Sequence, residues 1–287
     1  MKLHVWKADV FAAEQAAGVP AACLLLGAES LTDGQMQAVA SELAGFVQEV
    51  CFATPTDGGL MLRCFAPMAE RVTWGASAFV ALTALNGEGR LPAGTVTLRV
   101  GRRTYQADRL PTGGWALDVP SFAVDRGPVW PDDVLRALNL DPLRLEEEMG
   151  MALLEGEARV LLVPMHTAAA LCDLRPDVER LAALADRERL DSVVVCTADR
   201  VRPSSDYRVR VFSPRLGLGE EAASPVANGA LARFLLARGI WRGGRLTIEQ
   251  GREYRNPNLL TFVGGQGGTP LRLEGRARLR LAGEYTM

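Results

Sequence analysis

Short segments in which apolar and polar residues alternate occur along the whole chain and predict β-strands separated by turns. Helical patterns lie between them. One begins at the capping box formed by Thr32 and Gln35, in which each residue satisfies a backbone N–H of the first turn. The apolar face of this helix is Met36, Val39 and Leu43. A second amphipathic helix presents Val178, Leu181, Ala182 and Ala185. The pattern therefore predicts a chain of alternating strands and helices.

One part of this pattern occurs twice. Alternating strands end at Arg63–Pro67 in the first half and at Arg210–Pro214 in the second. Each is followed by a polar turn and then by small residues, Gly75–Ala78 and Ser224–Ala227, which start an apolar helix. Duplicated units usually pack about a pseudo-two-fold axis, and ligands bind between such units. We therefore predict two similar units, with the starts of the equivalent helices facing a shared cleft.

The length of 287 residues is sufficient for two cores of ordinary size. Residues 121–151 contain several prolines around a short helical pattern, which is typical of a connection between units. We predict a first unit of residues 1–120 together with about 272–287, and a second unit of residues 121–271.

Charge and cysteine content exclude several functions. The net charge of −2 gives no electrostatic basis for nucleic-acid binding, and no uninterrupted apolar run is long enough to span a membrane. The five cysteines are odd in number and widely spaced, which favours buried free thiols in a reducing compartment over disulfides. Their spacing does not predict a metal site. These features predict a cytoplasmic protein.

Short motifs follow one another in an order and spacing that resemble a known family. They are Asp9–Phe11, Gly18–Ala22, Gln48–Phe52, Arg63–Pro67, Trp74–Ala76, Arg210–Gly217, Glu220–Ala227, Gln250–Gly251 and Arg255. The chain resembles the PhzF family of phenazine biosynthesis, whose fold is shared with diaminopimelate epimerase. The resemblance implies an α+β fold of two pseudo-symmetric β-rich units, each a sheet wrapped around a central helix.

The resemblance also implies cofactor-independent movement of a proton on a small carboxylate-bearing substrate. Glu49 takes the position of the general acid/base, and Glu221 that of an assisting carboxylate. The helix N-termini at Ser77 and Val226 would direct backbone N–H groups at a substrate carboxylate. The expected substrate-binding residues are Val19, Trp74, Gly75, Ala76, Ser77, Ser224, Pro225 and Val226.

Several of these positions depart from the family pattern. Val19 replaces an asparagine, Ala76 a histidine and Glu221 an aspartate, while Pro225-Val226 replaces a glycine-serine pair. Ala76 can neither donate nor accept a proton, and Pro225 removes a backbone N–H from the start of its helix. We therefore expect a more apolar pocket than is usual in the family.

Two functions remain open at this point. The first is a PhzF-like isomerase or epimerase that uses Glu49. The second is a catalytically inactive relative that keeps the scaffold for ligand binding or protein association. For Glu49 itself, the residue pattern alone favours an ordinary surface glutamate at the end of a strand. The resemblance leaves homodimer formation open.

Overall fold

The computed structural model describes residues 1–12, 18–27, 30–125, 130–252 and 257–287, so that Arg255 lies outside the described residues. The chain divides into two compact units. Unit 1 comprises Met1–Val119 and Leu271–Met287, and unit 2 comprises Pro120–Pro270.

Unit 1 is built on a sheet whose strands follow the alternating patterns in the sequence. The strands are β1 (Lys2–Val10), β2 (Val19–Leu25), β3 (Glu49–Thr56), β4 (Gly59–Phe65), β5 (Val96–Val100), β6 (Arg103–Arg109), β7 (Trp115–Asp118), β16 (Arg272–Gly275) and β17 (Ala277–Thr286). They are paired in the order β17-β1-β2-β3-β4-β5-β6-β7-β16. The β2–β3 and β4–β5 pairs are parallel, and the others are antiparallel.

Two helices of unit 1 use this sheet differently. Helix α2 (Ala76–Gly87) is apolar on nearly every side and packs on β1 to β4 and β17, which is typical of a helix enclosed by its own sheet. Helix α1 (Asp33–Glu42) buries one face against the other side of the strands. Its predicted capping box of Thr32 and Gln35 is confirmed.

Unit 2 has the same type of architecture. Its strands are β8 (Phe122–Asp125), β9 (Ala152–Gly156), β10 (Val160–Pro164), β11 (Ser192–Thr197), β12 (Tyr207–Ser213), β13 (Leu218–Glu221), β14 (Gly244–Gln250) and β15 (Asn258–Gly264). Its helices are α3 (Pro131–Leu138), α4 (Ala168–Asp173), α5 (Val178–Glu188) and α6 (Pro225–Ala237). Helix α6 is buried along most of its length, as α2 is in unit 1, whereas α3 and α5 pack on each other.

The strand pairing recurs between the units. In unit 1, β2 to β6 are joined by parallel, antiparallel, parallel and antiparallel pairs. In unit 2, β10, β11, β12, β14 and β15 follow the same sequence of pairs. The predicted α+β fold, with a sheet around a central helix in each unit, is confirmed.

Helix α5 corrects one detail of the sequence analysis. Leu181, Leu184 and Ala185 form its buried face, whereas Val178 is exposed. Val178 is the first residue of the helix, directly after the N-cap Asp177, and therefore lies at the edge of the packed face.

Candidate functional site

Glu49 is buried, with 4% of its surface exposed. It is the first residue of β3 and pairs with Ala21 of the parallel strand β2. The interpretation as a surface glutamate at a strand end is therefore wrong. A buried carboxylate requires hydrogen bonds or a cation to offset the loss of its hydration, and Glu49 has both.

The hydrogen bonds come from the start of helix α2. The backbone N–H of Ser77 donates to Glu49 Oε1 at 2.9 Å, and the Ser77 hydroxyl donates to the same oxygen. The N-terminus of a helix attracts anions because its first N–H groups lack partners within the helix. Sequence analysis assigned the Ser77 N–H to a substrate carboxylate. In the structure this donor is occupied by the carboxylate of Glu49.

The cation is Arg71. Its Nε atom lies 2.5 Å from Glu49 Oε2, and both side chains are more than nine-tenths buried. The N–H is not aligned for a hydrogen bond, so the contact is an ion pair. The two oxygens of Glu49 therefore have different partners, Ser77 on Oε1 and Arg71 on Oε2. Arg71 is not among the site residues predicted from the sequence.

The other predicted residues of unit 1 surround this carboxylate or lie in the core. Gly75 is the N-cap of α2, and Ala76 is its first residue. Val19 begins β2 opposite Val10 and is fully buried. Trp74 is also fully buried, with its ring centroid 6.1 Å from that of Phe79 in an edge-on arrangement. Such an arrangement is typical of an aromatic residue in a core.

Thiols lie beside Glu49. Cys23, Cys51 and Cys64 are paired across β2, β3 and β4 and are fully buried. Burial raises the pKa of the Cys51 thiol, and burial together with the negative charge of Glu49 raises that of Cys64. Both thiols are consequently protonated near neutral pH. Within the described residues, no group of three or more His, Cys, Asp or Glu side chains is arranged to hold a metal ion.

Unit 2 contains the second predicted carboxylate. Glu221 ends β13 and is buried. The Ser213 hydroxyl donates to Glu221 Oε1 at 2.5 Å and lies 2.8 Å from the hydroxyl of Ser192. The Gln250 side-chain amide donates to the Glu221 backbone carbonyl at 2.8 Å. The Ser213 hydroxyl and the Gln250 amide therefore both help to hold Glu221 in place.

Helix α6 begins beside this network. Ser224 is its N-cap and Pro225 its first residue, followed by Val226, and all three are buried. Gln250 Oε1 accepts hydrogen bonds from the Ser224 N–H at 3.0 Å and from the Asn228 amide at 2.6 Å. Among the described residues, the Ser224 hydroxyl has no hydrogen-bond partner. A buried hydroxyl without a protein partner is costly unless a water or a ligand satisfies it.

The repeated Arg-x-Phe motif has the same contacts in both units. Arg63 forms two hydrogen bonds with the carboxylate of Glu70, at 2.8 and 2.6 Å. Arg210 forms two with Glu220, both at 2.8 Å. Each guanidinium also lies over the phenylalanine two residues further on, at 5.2 and 5.1 Å from the ring centre.

This correspondence gives Arg71 a counterpart. The residue after each paired glutamate is buried: Arg71 follows Glu70, and Glu221 follows Glu220. Position 71 of unit 1 thus corresponds to position 221 of unit 2. The sequence does not show this correspondence, because Arg71 lies eight residues after Arg63 whereas Glu221 lies eleven residues after Arg210.

Two β-rich units that each surround an apolar helix, with a buried glutamate at the N-terminus of one such helix, define a protein of the diaminopimelate epimerase-like fold. The chain belongs to the PhzC-PhzF family: the family model described as phenazine biosynthesis-like protein matches residues 8–283. In the described part of the chain, the helices are too short or too polar to cross a membrane.

Named relatives and solved structures agree with this assignment. The chain is 27% identical to trans-2,3-dihydro-3-hydroxyanthranilate isomerase of Pseudomonas aeruginosa, over 87% of this chain and 86% of the relative. It is 29% identical to an uncharacterized isomerase of Deinococcus radiodurans, over 90% and 81%. The crystal structure of a PhzF-family protein from Bacillus anthracis matches this chain over the full length of both proteins, with a TM-score of 0.81 and 16% identity.

Proposed function

We propose that this protein is a PhzF-type isomerase that moves a proton on a small carboxylate-bearing substrate without a cofactor, with Glu49 as general acid/base. The observation that carries the proposal is the environment of Glu49, which is buried and fixed at both oxygens at the start of α2. The names of the relatives support an isomerase, since the Pseudomonas aeruginosa relative isomerises trans-2,3-dihydro-3-hydroxyanthranilate according to its name.

The contacts of Glu49 support a role in proton transfer for one of its two oxygens. A carboxylate has about four acceptor positions, and Ser77 uses two of them on Oε1. Oε2 therefore takes the proton from a substrate carbon, and the same oxygen returns it to a different carbon. The C–H bond that breaks is replaced by a new C–H bond, so that the reaction is a net isomerisation with no oxidant or reductant.

Binding of a carboxylate at the start of α6 stays a prediction. The Ser224 hydroxyl is buried with no partner among the described residues, and Val226 belongs to the first turn of that helix. At α2 the equivalent donor, the Ser77 N–H, is taken by Glu49. Assistance by Glu221 stays a prediction, as do the substrate contacts of Val19, Trp74, Gly75, Ala76 and Pro225.

The test is incorporation of solvent deuterium into trans-2,3-dihydro-3-hydroxyanthranilate and into other small unsaturated carboxylic acids. We expect the wild type to exchange a carbon-bound hydrogen, and E49Q to lose about 10²-fold or more of the rate. The control E284Q removes an exposed carboxylate that pairs with Lys2 and should retain the rate. Equal exchange by wild type and E49Q would refute the assignment of Glu49.

The alternative is a scaffold without catalysis, used for ligand binding or protein association. It predicts no exchange with any acid and no change of melting temperature when such acids are added. Homodimer formation also stays a prediction, to be tested by analytical ultracentrifugation.

A further inference from the structure

Arg71 is directed at Glu49 by the backbone on which it lies. The Arg71 N–H donates to the carbonyl of Cys64 at 2.7 Å, and Glu70 forms an isolated bridge with Phe65. Residues 70 and 71 therefore run along the end of β4 in an extended conformation. Successive side chains of an extended segment point to opposite sides. Glu70 accordingly pairs with the partly exposed Arg63, and Arg71 with the buried Glu49.

The equivalent position in unit 2 carries a glutamate and not an arginine. Glu221 follows the paired Glu220, as Arg71 follows Glu70, and is likewise buried. The two copies of the motif therefore direct one buried side chain inward from the same position. In unit 1 the side chain is a cation in contact with the carboxylate to which we assign the proton transfer.

We propose that Arg71 is a positioning residue for proton transfer by Glu49. Its guanidinium holds Oε2 while Ser77 holds Oε1, which gives the carboxylate a single orientation. Arg71 also compensates the negative charge of a carboxylate removed from water. This inference rests on the proposed function, because it concerns the residue that performs the transfer.

The charged and titratable groups around Glu49 show what the removal of Arg71 would change. In the described part of the chain, the charged group in contact with Glu49 is Arg71. The titratable groups on the neighbouring strands are thiols, Cys51 on the same strand and Cys64 on β4, and burial raises the pKa of both. Ser77 is uncharged. Removal of the Arg71 charge would therefore leave a buried carboxylate whose Oε2 atom has lost this cation.

The experiment compares wild type with R71M and R71K. We expect R71M to lower kcat for exchange by roughly 10²-fold, as expected for a misplaced catalytic group, with little change in KM. R71K keeps a cation and should recover most of the rate. If R71M does not fold, R71Q gives the same comparison. Unchanged kcat in the neutral variant would overturn the inference.

A second measurement does not depend on activity. Glutamate labelled with ¹³C at the side-chain carboxyl is observed by NMR at a single pH, and the signal of Glu49 is identified by its absence in E49Q. We expect the chemical shift of this signal to differ from wild type in R71M and to stay close to wild type in R71K. Equal chemical shifts in all three proteins would overturn the inference even if exchange is observed. A changed chemical shift in R71M without exchange by any protein would support the Arg71 contact and refute the proposed function.

Discussion

Gly75 lies directly against the carboxylate of Glu49, so that a Cβ atom on Gly75 would overlap both oxygens. The backbone of Gly75 has φ −133° and ψ −158°, a conformation open to any residue. Glycine is therefore required here because the Glu49 carboxylate occupies the space of a side chain, and not because the backbone conformation excludes other residues. The missing side chain lets Glu49 reach the first N–H groups of α2.

G75A should displace the Glu49 carboxylate from the start of α2. We expect the free energy of unfolding to fall by about 1–3 kcal/mol, as for other overpacked sites, together with loss of deuterium exchange. Urea unfolding followed by circular dichroism measures the first effect. The matched control is G87A, at the last residue of α2, where a Cβ atom meets no neighbour within 4 Å. Equal stability and exchange in G75A and G87A would contradict the close contact.

The Ser77 hydroxyl can be tested by a double-mutant cycle with Glu49. S77A removes the hydroxyl donor but keeps the backbone N–H, and we expect a cost of about 1.5–3 kcal/mol because the lost bond is to a charged group. In an E49Q background the same change should cost less, with a coupling energy of about 1 kcal/mol. Additive effects on unfolding in the two backgrounds would show that the hydroxyl does not bond to the carboxylate.

The sequence predicted the position of Glu49 only through the resemblance. At the start of a strand, residue pattern does not distinguish a buried side chain from an exposed one. What buries Glu49 is a contact with Ser77, 28 residues away in the chain, and another with Arg71. The helix N-terminus at Ser77 was predicted to bind a substrate carboxylate. Periodicity could not show that the protein's own carboxylate would occupy it.

Features that depend on neighbouring residues were more predictable. The capping box of Thr32 and Gln35 is local, and its residue types define it. The repeated motif around Arg63 and Arg210 lies in strands β4 and β12, which precede helices α2 and α6. Arg71 was not predicted because its contact with Glu49 depends on the folded chain and not on a local pattern.

The cysteines provide a test of burial and pKa. All five are buried and free, and burial raises the pKa of the Cys196 thiol from 9.0 to about 12, with Cys51 and Cys64 also raised. Because the thiolate is the reactive form, iodoacetamide at pH 8 should modify none of them in the native protein and all five after unfolding. Mass spectrometry counts the modified residues.

V72C is the control for that experiment, since Val72 is well exposed and a thiol there should react within minutes. Rapid native modification of Cys51 or Cys64 would contradict their burial.

The raised pKa values of the thiols also predict how the free energy of unfolding changes with pH. The unfolded thiols lose protons near pH 9 while the folded ones keep them, so the thiol contribution is complete below pH 9 and is lost as pH rises.

Breaking the buried ion pair of Arg208 and Glu249 should destabilise unit 2. Both side chains are fully buried, Arg208 Nη1 lies 3.2 Å from Glu249 Oε1, and the same oxygen accepts the Val201 N–H at 2.7 Å. E249Q removes the negative charge of this pair, so we expect a loss of about 3–5 kcal/mol in urea unfolding. R208M combined with E249Q should cost less than the sum of the single changes. The exposed pair of Lys2 and Glu284 is the control, and E284Q should unfold close to wild type. An effect of E249Q no larger than that of E284Q would show that the buried pair does not stabilise the fold.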